Sequence, residues 1–334
     1  MRKVLGLAAA TALAATLTAA APPTYSVTGG IKAADGGWDY AAVEPDSQLL
    51  YVARGSEVTE IDLAHDNTVR AFGQIAKGHA VVPLPGHMLL VSSAHDDTVR
   101  LIDTLSGKEE ARIATGTDPD ASLYDAASGL AAVMNAKAGT VSVIDVAKRA
   151  VVRTITLKPG LEFAQLGEDG TLFINNEDEN EIETADLRTG KAGAAISLSD
   201  CTGPTGLALD RASHMLISAC ANGKAAVVDA ASRKQTGSLA IGAGPDAVIL
   251  DAARRLAFIP CGRDGTLSVI ALDGAKGPSV TATIKTAIGA RTGALDPRTG
   301  RLYFPTAGFA PAPAGGGRPA MLPGSFQVLV VSPG

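Results

Sequence analysis

Residues 246–287 read DAVILDAARRLAFIPCGRDGTLSVIALDGAKGPSVTATIKTA, and they divide into four short strands with no helical pattern. DAVIL, LAFIPC, TLSVIAL and VTATIKTA are apolar, β-branched or aromatic runs, bounded by turn residues. Asp264-Gly265 predicts a type I′ hairpin, which needs two residues with positive φ. The third strand ends in VIA at Ala271, a worn copy of a phrase that elsewhere closes on Asp. It is EID at Asp62, LID at Asp103, VID at Asp145, TAD at Asp186 and VVD at Asp229, with a last relic, VLV, at Val330. The steps between copies are 41, 42, 41, 43, 42 and 59 residues. A period in the low forties that carries several short strands is the sequence form of a β-propeller blade.

Second strands align as YVAR (51–54), LVSS (90–93), AVMN (132–135), FINN (173–176), ISAC (217–220), FIPC (258–261) and FPTA (304–307). Seven copies predict an all-β, seven-bladed propeller occupying residues 22–334 as one domain. The last blade runs out of chain before its fourth strand, while Tyr25 to Ile31 is a strand without a unit. That N-terminal strand is predicted to join the last blade and close the ring, which removes the free sheet edges. The repeated Asp residues are read as turn formers whose carboxylates accept backbone N–H bonds, and not as catalytic groups.

These residues also resemble a known family. YVAR at 51, the repeated VID, IGAGPDA (241–247), CGRDGTLSVI (261–270) and GARTGALDPRTGRLYFPTA (289–307) are similar to the YVTN β-propeller repeat proteins. The resemblance covers nearly the whole chain after the first 21 residues and departs from the name-giving YVTN at the last two positions of YVAR. It implies the seven-bladed fold. Through the similar lactonase-type propellers, and the propeller subunits of periplasmic quinone or haem enzymes, it also implies a lactone hydrolase or an accessory redox subunit as alternatives to a plain binding scaffold.

Arg2 and Lys3, an apolar stretch from Val4 to about Ala15 and small residues before Pro22 form the pattern of a secretory signal peptide over residues 1–21. Periplasmic or secreted localisation follows as an expectation, with no stable membrane insertion and a monomeric state. Loss of Arg2 and Lys3 takes the formal charge from −5 to −7, and no Lys/Arg run exceeds two residues. Nucleic acid is therefore not an expected partner.

In a propeller the inner strands surround a central channel, and the loops at one end converge on its mouth. Aligning the repeats puts Asp39, Gly78, Asp120, Leu161, Thr205, Asp246 and Thr292 where the inner strands begin. Arg54, Ser93, Asn135, Asn176, Cys220, Cys261 and Ala307 stand at the ends of the second strands. With Trp38 as a stacking surface, the polar members of this set are the candidate binding residues: Trp38, Asp39, Arg54, His79, His95, Asp120, Asn135, Asn176, Thr205, Asp246 and Thr292. His79 and His95, near Asp96 and Asp97, are weak candidates for a divalent ion; His65, His87 and His214 fall in turns at the other end. The acidic run 177–181 is read as a solvated turn, with calcium as the alternative. Residues 308–325, GFAPAPAGGGRPAMLPGS, form a Pro/Gly-rich insertion over the mouth, a lid or a partner-binding loop.

Cys201 and Cys220 lie near one another in the fifth hairpin, so a disulfide between them is the leading reading, with Cys261 free. A Cys220–Cys261 pair and a three-thiolate metal site are the alternatives. No G-x-S-x-G, H-E-x-x-H, Walker or C-x-x-C-H pattern occurs. No catalytic residue and no cofactor is assigned. The leading expectation is an exported, noncatalytic propeller that binds a small molecule or a protein partner at its channel mouth. A lactonase using Asp39, Asp120, Asp246 or His79, and an accessory subunit of a periplasmic redox complex, are the alternatives.

Overall fold

The computed structural model describes residues 23–275, 277–313, 317 and 319–334. The expected leader, residues 1–21, lies outside the described residues. Twenty-eight strands form seven four-stranded antiparallel sheets. Six blades follow chain order, from Trp38–Phe72 to the one that ends with strand Ser279–Lys285. The seventh combines Ala294–Asp296, Arg301–Thr306 and Gln327–Pro333 with the N-terminal strand Tyr25–Lys32, which pairs antiparallel from Tyr25↔Pro333 to Lys32↔Gln327. The ring closes as the sequence predicts. Among the described residues the only helical turn is a 3-10 turn at Ala94–Asp96, and no helix is long and apolar enough to cross a membrane.

Residue choice explains the radial layering. The second strands lie between neighbouring blades on both faces, so Met215–Cys220 and Leu256–Cys261 are buried at every position. Outermost strands such as Lys234–Ala240 are mostly exposed and carry Lys, Gln, Thr and Ser. The cores lie between blades. Leu90, Val99 and Leu101 of the second blade pack on Ala131, Val133 and Ile144 of the third.

The repeated aspartates act as turn formers. The Oδ1 atoms of Asp62, Asp103, Asp145, Asp186 and Asp229 each accept the backbone N–H three residues on. Asp264-Gly265 departs from expectation. Four residues separate the paired Cys261 and Thr266, and among them only Gly265 has positive φ, at 62°. The hairpin is therefore longer than a two-residue type I′ turn. The Asp264 carboxylate is instead used across the loop, accepting Ala243 N–H at 2.6 Å.

Candidate functional site at the channel mouth

The register of each innermost hairpin identifies one equivalent residue per blade. Trp38, Pro119, Leu161, Pro204 and Pro245 pair with Arg54, Asn135, Asn176, Cys220 and Cys261. The next residues are Asp39, Asp120, Glu162, Thr205 and Asp246. In the second blade Val81↔Val91 matches Ala41↔Val52 of the first, which makes His79 the equivalent of Asp39. In the seventh, Ala294↔Tyr303 matches Ala42↔Tyr51 and makes the equivalent Arg291. The ring at the mouth is thus Asp39, His79, Asp120, Glu162, Thr205, Asp246 and Arg291. Three alignments correct by one position: Glu162 replaces Leu161, which is fully buried, and Arg291 replaces Thr292. His79 rather than Gly78 takes the position in the second blade.

The ring side chains meet. His79 Nδ1 lies 2.5 Å from Asp39 Oδ2 and 3.5 Å from Asp120 Oδ1. Arg291 donates through Nε to Asp246 at 2.7 Å, and its other arm stands 3.7 Å from Asp39. Asp39, His79 and Asp120 each offer an atom within 4.8 Å of the others. The side chains of these three are 13 to 18% exposed, and Asp120 Oδ1 is buried without a hydrogen-bond donor. Tyr40 of the first blade reaches Phe163 of the fourth, with centroids 5.1 Å apart. Tyr40 and Phe163 directly follow the ring members Asp39 and Glu162, so this contact joins two non-neighbouring blades beside the ring, and the ring and this pair together form a cup.

Four carboxylates therefore face one guanidinium and one imidazole in a desolvated space. Burial, then the charge of Asp39, raises Asp246 to about 6, against the pull of Arg291. Burial also raises Asp120 to about 7, with Asp39 and Asp246 adding and His79 opposing. Glu162 is pushed well above the usual carboxylate range by burial and then by Asp120 and Asp246. Burial pulls the His79 imidazole down, but its bond to Asp39 and the Asp120 charge outweigh this and raise it. Carboxyls raised in this way keep their protons to higher pH than free ones do.

Apart from Thr205, the remaining sequence candidates face away from the ring. In five blades the second-strand end is cross-paired with the residue before a ring member, and strand alternation sends it to the opposite side. Arg54 is 2% exposed and donates to the carbonyls of Ala34, Gly36 and Gly37 and to Thr59 Oγ1, with its guanidinium over the Phe326 ring. Asn135 donates to Thr140 and Ser142, and Asn176 to Pro159 O. Thr205 and Thr292 tie blades together by donating to Pro245 O and Asp39 O. Trp38 packs on Phe309 and Phe326. His95 is exposed in the 3-10 turn and does not join His79; Asp39 and Asp120 do. The acidic run is drawn together by Lys158, which pairs with Glu179, Glu181 and Glu183.

Cys201 and Cys220 form a disulfide, and Cys261 is free and buried, its thiol raised by burial. The described part of the insertion is tethered at its ends. Asp35 accepts the N–H groups of Gly324 and Phe326, and Phe309 bridges to Met321. Beside Arg291, residues Ile288, Phe309 and Pro319 line an apolar hollow of about 270 Å³. A further hollow of about 290 Å³, near His214 and Phe173, lies among the turns at the other end.

Glu162 and Arg291 escaped the sequence alignment, yet a signal for Arg291 was present. Asp120, Thr205 and Asp246 each stand five residues before the acid of the following turn, Asp125, Asp210 and Asp251. Counting five back from Asp296 gives Arg291.

A scan against protein-family models finds no match, and no curated protein matches the sequence. Solved structures do match in shape. One is Kuenenia stuttgartiensis hydrazine synthase, at 15% identity and a TM-score of 0.71, covering 82% of this chain and 94% of that one. Another is from the mitotic checkpoint complex, at 14% identity and a TM-score of 0.73, covering 99% and 98%. At such identities the likeness is one of fold alone, and the chain shares with these proteins the seven-bladed β-propeller.

Proposed function

We propose that this protein is an exported binding propeller that holds a small polar ligand, or the polar end of a partner, in the cup formed by the axial ring. The single observation that carries this reading is that six ionisable side chains, one from each of six blades, share the ring, and that Asp120 Oδ1 among them is buried without a partner. Burying charges without full pairing costs several kcal/mol each, so a fold keeps such a cluster where a ligand completes it. The apolar hollow at Ile288 and Phe309 beside Arg291 suits a ligand with an apolar body as well. Export is supported by the basic, apolar and small order of residues 1–21 and by the disulfide at Cys201–Cys220. The YVTN-like repeats agree with both parts of the reading.

The test compares the purified protein with an Asp120→Asn/Arg291→Ala variant. Each is incubated with a small-molecule extract of the native host, and retained species are read by native mass spectrometry. A mass adduct on the wild type that the variant loses supports the reading; equal retention on both, or none, ends it.

A second reading is favoured by one property. A carboxyl that ionises near 7, as Asp120 does, is suited to act as a general base at neutral pH. In a lactonase it would activate the attacking water. Turnover of a lactone panel that vanishes in Asp120→Asn would establish it, and a flat panel would retire it.

A further inference from the structure

Asp39, His79 and Asp120 come from three consecutive blades and contribute one nitrogen and two oxygens, all mutually within 4.8 Å. Three donors brought together by three blades are what a single small ion requires, because small side-chain rotations suffice to reach the roughly 3.4 Å spacing of tetrahedral ligand atoms held at about 2.1 Å. An organic group would have to fork three ways.

Charge and partner use point the same way. Arg291 is already committed to Asp246, at 2.7 Å, and meets Asp39 only at 3.7 Å. Asp120 Oδ1 is buried, has no donor, and faces the His79 ring across 3.5 Å. An orphaned carboxylate oxygen turned toward an imidazole nitrogen lacks a shared cation. Strand pairing positions Asp39 and Asp120, within Trp38–Glu44 and Pro119–Asp125, while His79, two residues before strand Val81–Leu84, is held through its backbone, its carbonyl accepting Tyr40 N–H and its N–H donating to Ser92 Oγ.

We infer that Asp39, His79 and Asp120 bind one divalent cation of borderline hardness, such as zinc, at the mouth of the channel. The imidazole excludes calcium as the preferred ion, since calcium takes oxygen ligands and six to eight of them. Neutral His79 ligates through Nδ1, and the proton that Nδ1 otherwise shares with Asp39 is released to solvent. The Asp39 and Asp120 carboxylates neutralise the ion, Asp246 stays paired with Arg291, and Glu162 is left to hold a bound water. This inference rests on the proposed ligand-binding role of the same cup and names one component of what it takes.

The test uses the full mature chain stripped with chelator and titrated with Zn²⁺ alone by calorimetry at neutral pH, with Ca²⁺ in parallel. One equivalent of Zn²⁺ should bind with proton release, and Ca²⁺ more weakly. Affinity should fall roughly a hundredfold in His79→Ala and in Asp120→Asn, and stay unchanged in the histidine control His65→Ala and the thiol control Cys261→Ser. Because a ring variant could fold poorly, the wild type is also read directly: Zn²⁺ should move the Nδ1 nitrogen resonance of His79. No binding, binding undiminished in His79→Ala, or an unmoved His79 signal overturns the inference. If the extract-derived adduct persists under those outcomes, only the cation falls and the binding role stands.

Discussion

Replacing Asp120 by Asn in the metal-free protein should make the fold more stable at pH 8. The carboxyl ionises near 7 in the folded chain, against an ordinary 3.8, chiefly because burial disfavours its charge. A group raised in this way contributes its stability fully below the unfolded value and loses it as pH climbs through the folded one. Each pH unit between the two is worth about 1.36 kcal/mol, which sets a ceiling of about 4 kcal/mol above pH 7. Asp246 and Glu162 will redistribute protons once Asp120 is neutral, so a gain of about 2 kcal/mol is the working figure. At pH 4 wild type and variant should unfold at nearly the same urea concentration. The assay is urea denaturation in chelator at pH 4, 6 and 8, analysed by linear extrapolation. A variant that is less stable at pH 8, or one whose difference from wild type is flat with pH, would refute the electrostatic account of the ring. Added Zn²⁺ should reverse the order, because it stabilises only the chain that keeps its ligands.

Other outcomes follow from the supporting shell. Arg54→Met should cost about 2 to 4 kcal/mol in urea unfolding by stranding the carbonyls of Ala34, Gly36 and Gly37, with Zn²⁺ affinity unchanged; a tenfold loss of affinity would mean that Arg54 belongs to the site. Cys220→Ser should cost about 3 kcal/mol, as expected for a loop closed over 19 positions, and a reductant should lower the wild type to the same level while leaving the variant unmoved. Asp210 is held below the usual carboxylate range first by its paired bonds from Arg255 across the blade interface. Asp210→Asn should therefore cost about 2 to 3 kcal/mol at pH 7, and the difference should shrink as pH falls below about 4; a penalty that persists in acid would place its origin in packing.

The fold was legible because each blade solves the same problem with the same residues. The turn after the third strand needs an acceptor for a backbone N–H, so Asp returns at 62, 103, 145, 186 and 229. The ring was less legible because its seven positions solve no common problem. Asp, His, Asp, Glu, Thr, Asp and Arg share only a place in space, and alignment had to be carried by flanking residues. Where Pro precedes the ring member, at Asp120, Thr205 and Asp246, the register was right. Where the flank changes, as at Pro159-Gly160-Leu161 or Ala290-Arg291, it slipped by one, and in a strand one step reverses the side chain. At the second-strand ends two uses compete. Polar type is compatible with contact to a ligand at Arg54, Asn135 and Asn176, and buried loop carbonyls and hydroxyls at the same end also need donors, which these side chains supply.

The seam of the seventh blade also constrains how the molecule is made. Thr28 and Val330, which meet there, are 302 positions apart. Strand Tyr25–Lys32 of a nascent polypeptide must therefore wait, without its mate, until Gln327–Pro333 has been synthesised. Six sheets can assemble in the order of their birth, but the circle shuts only when these two distant strands join. A product cut short before Gln327 is left as an open arc with two raw margins, prone to adhesion and to proteases.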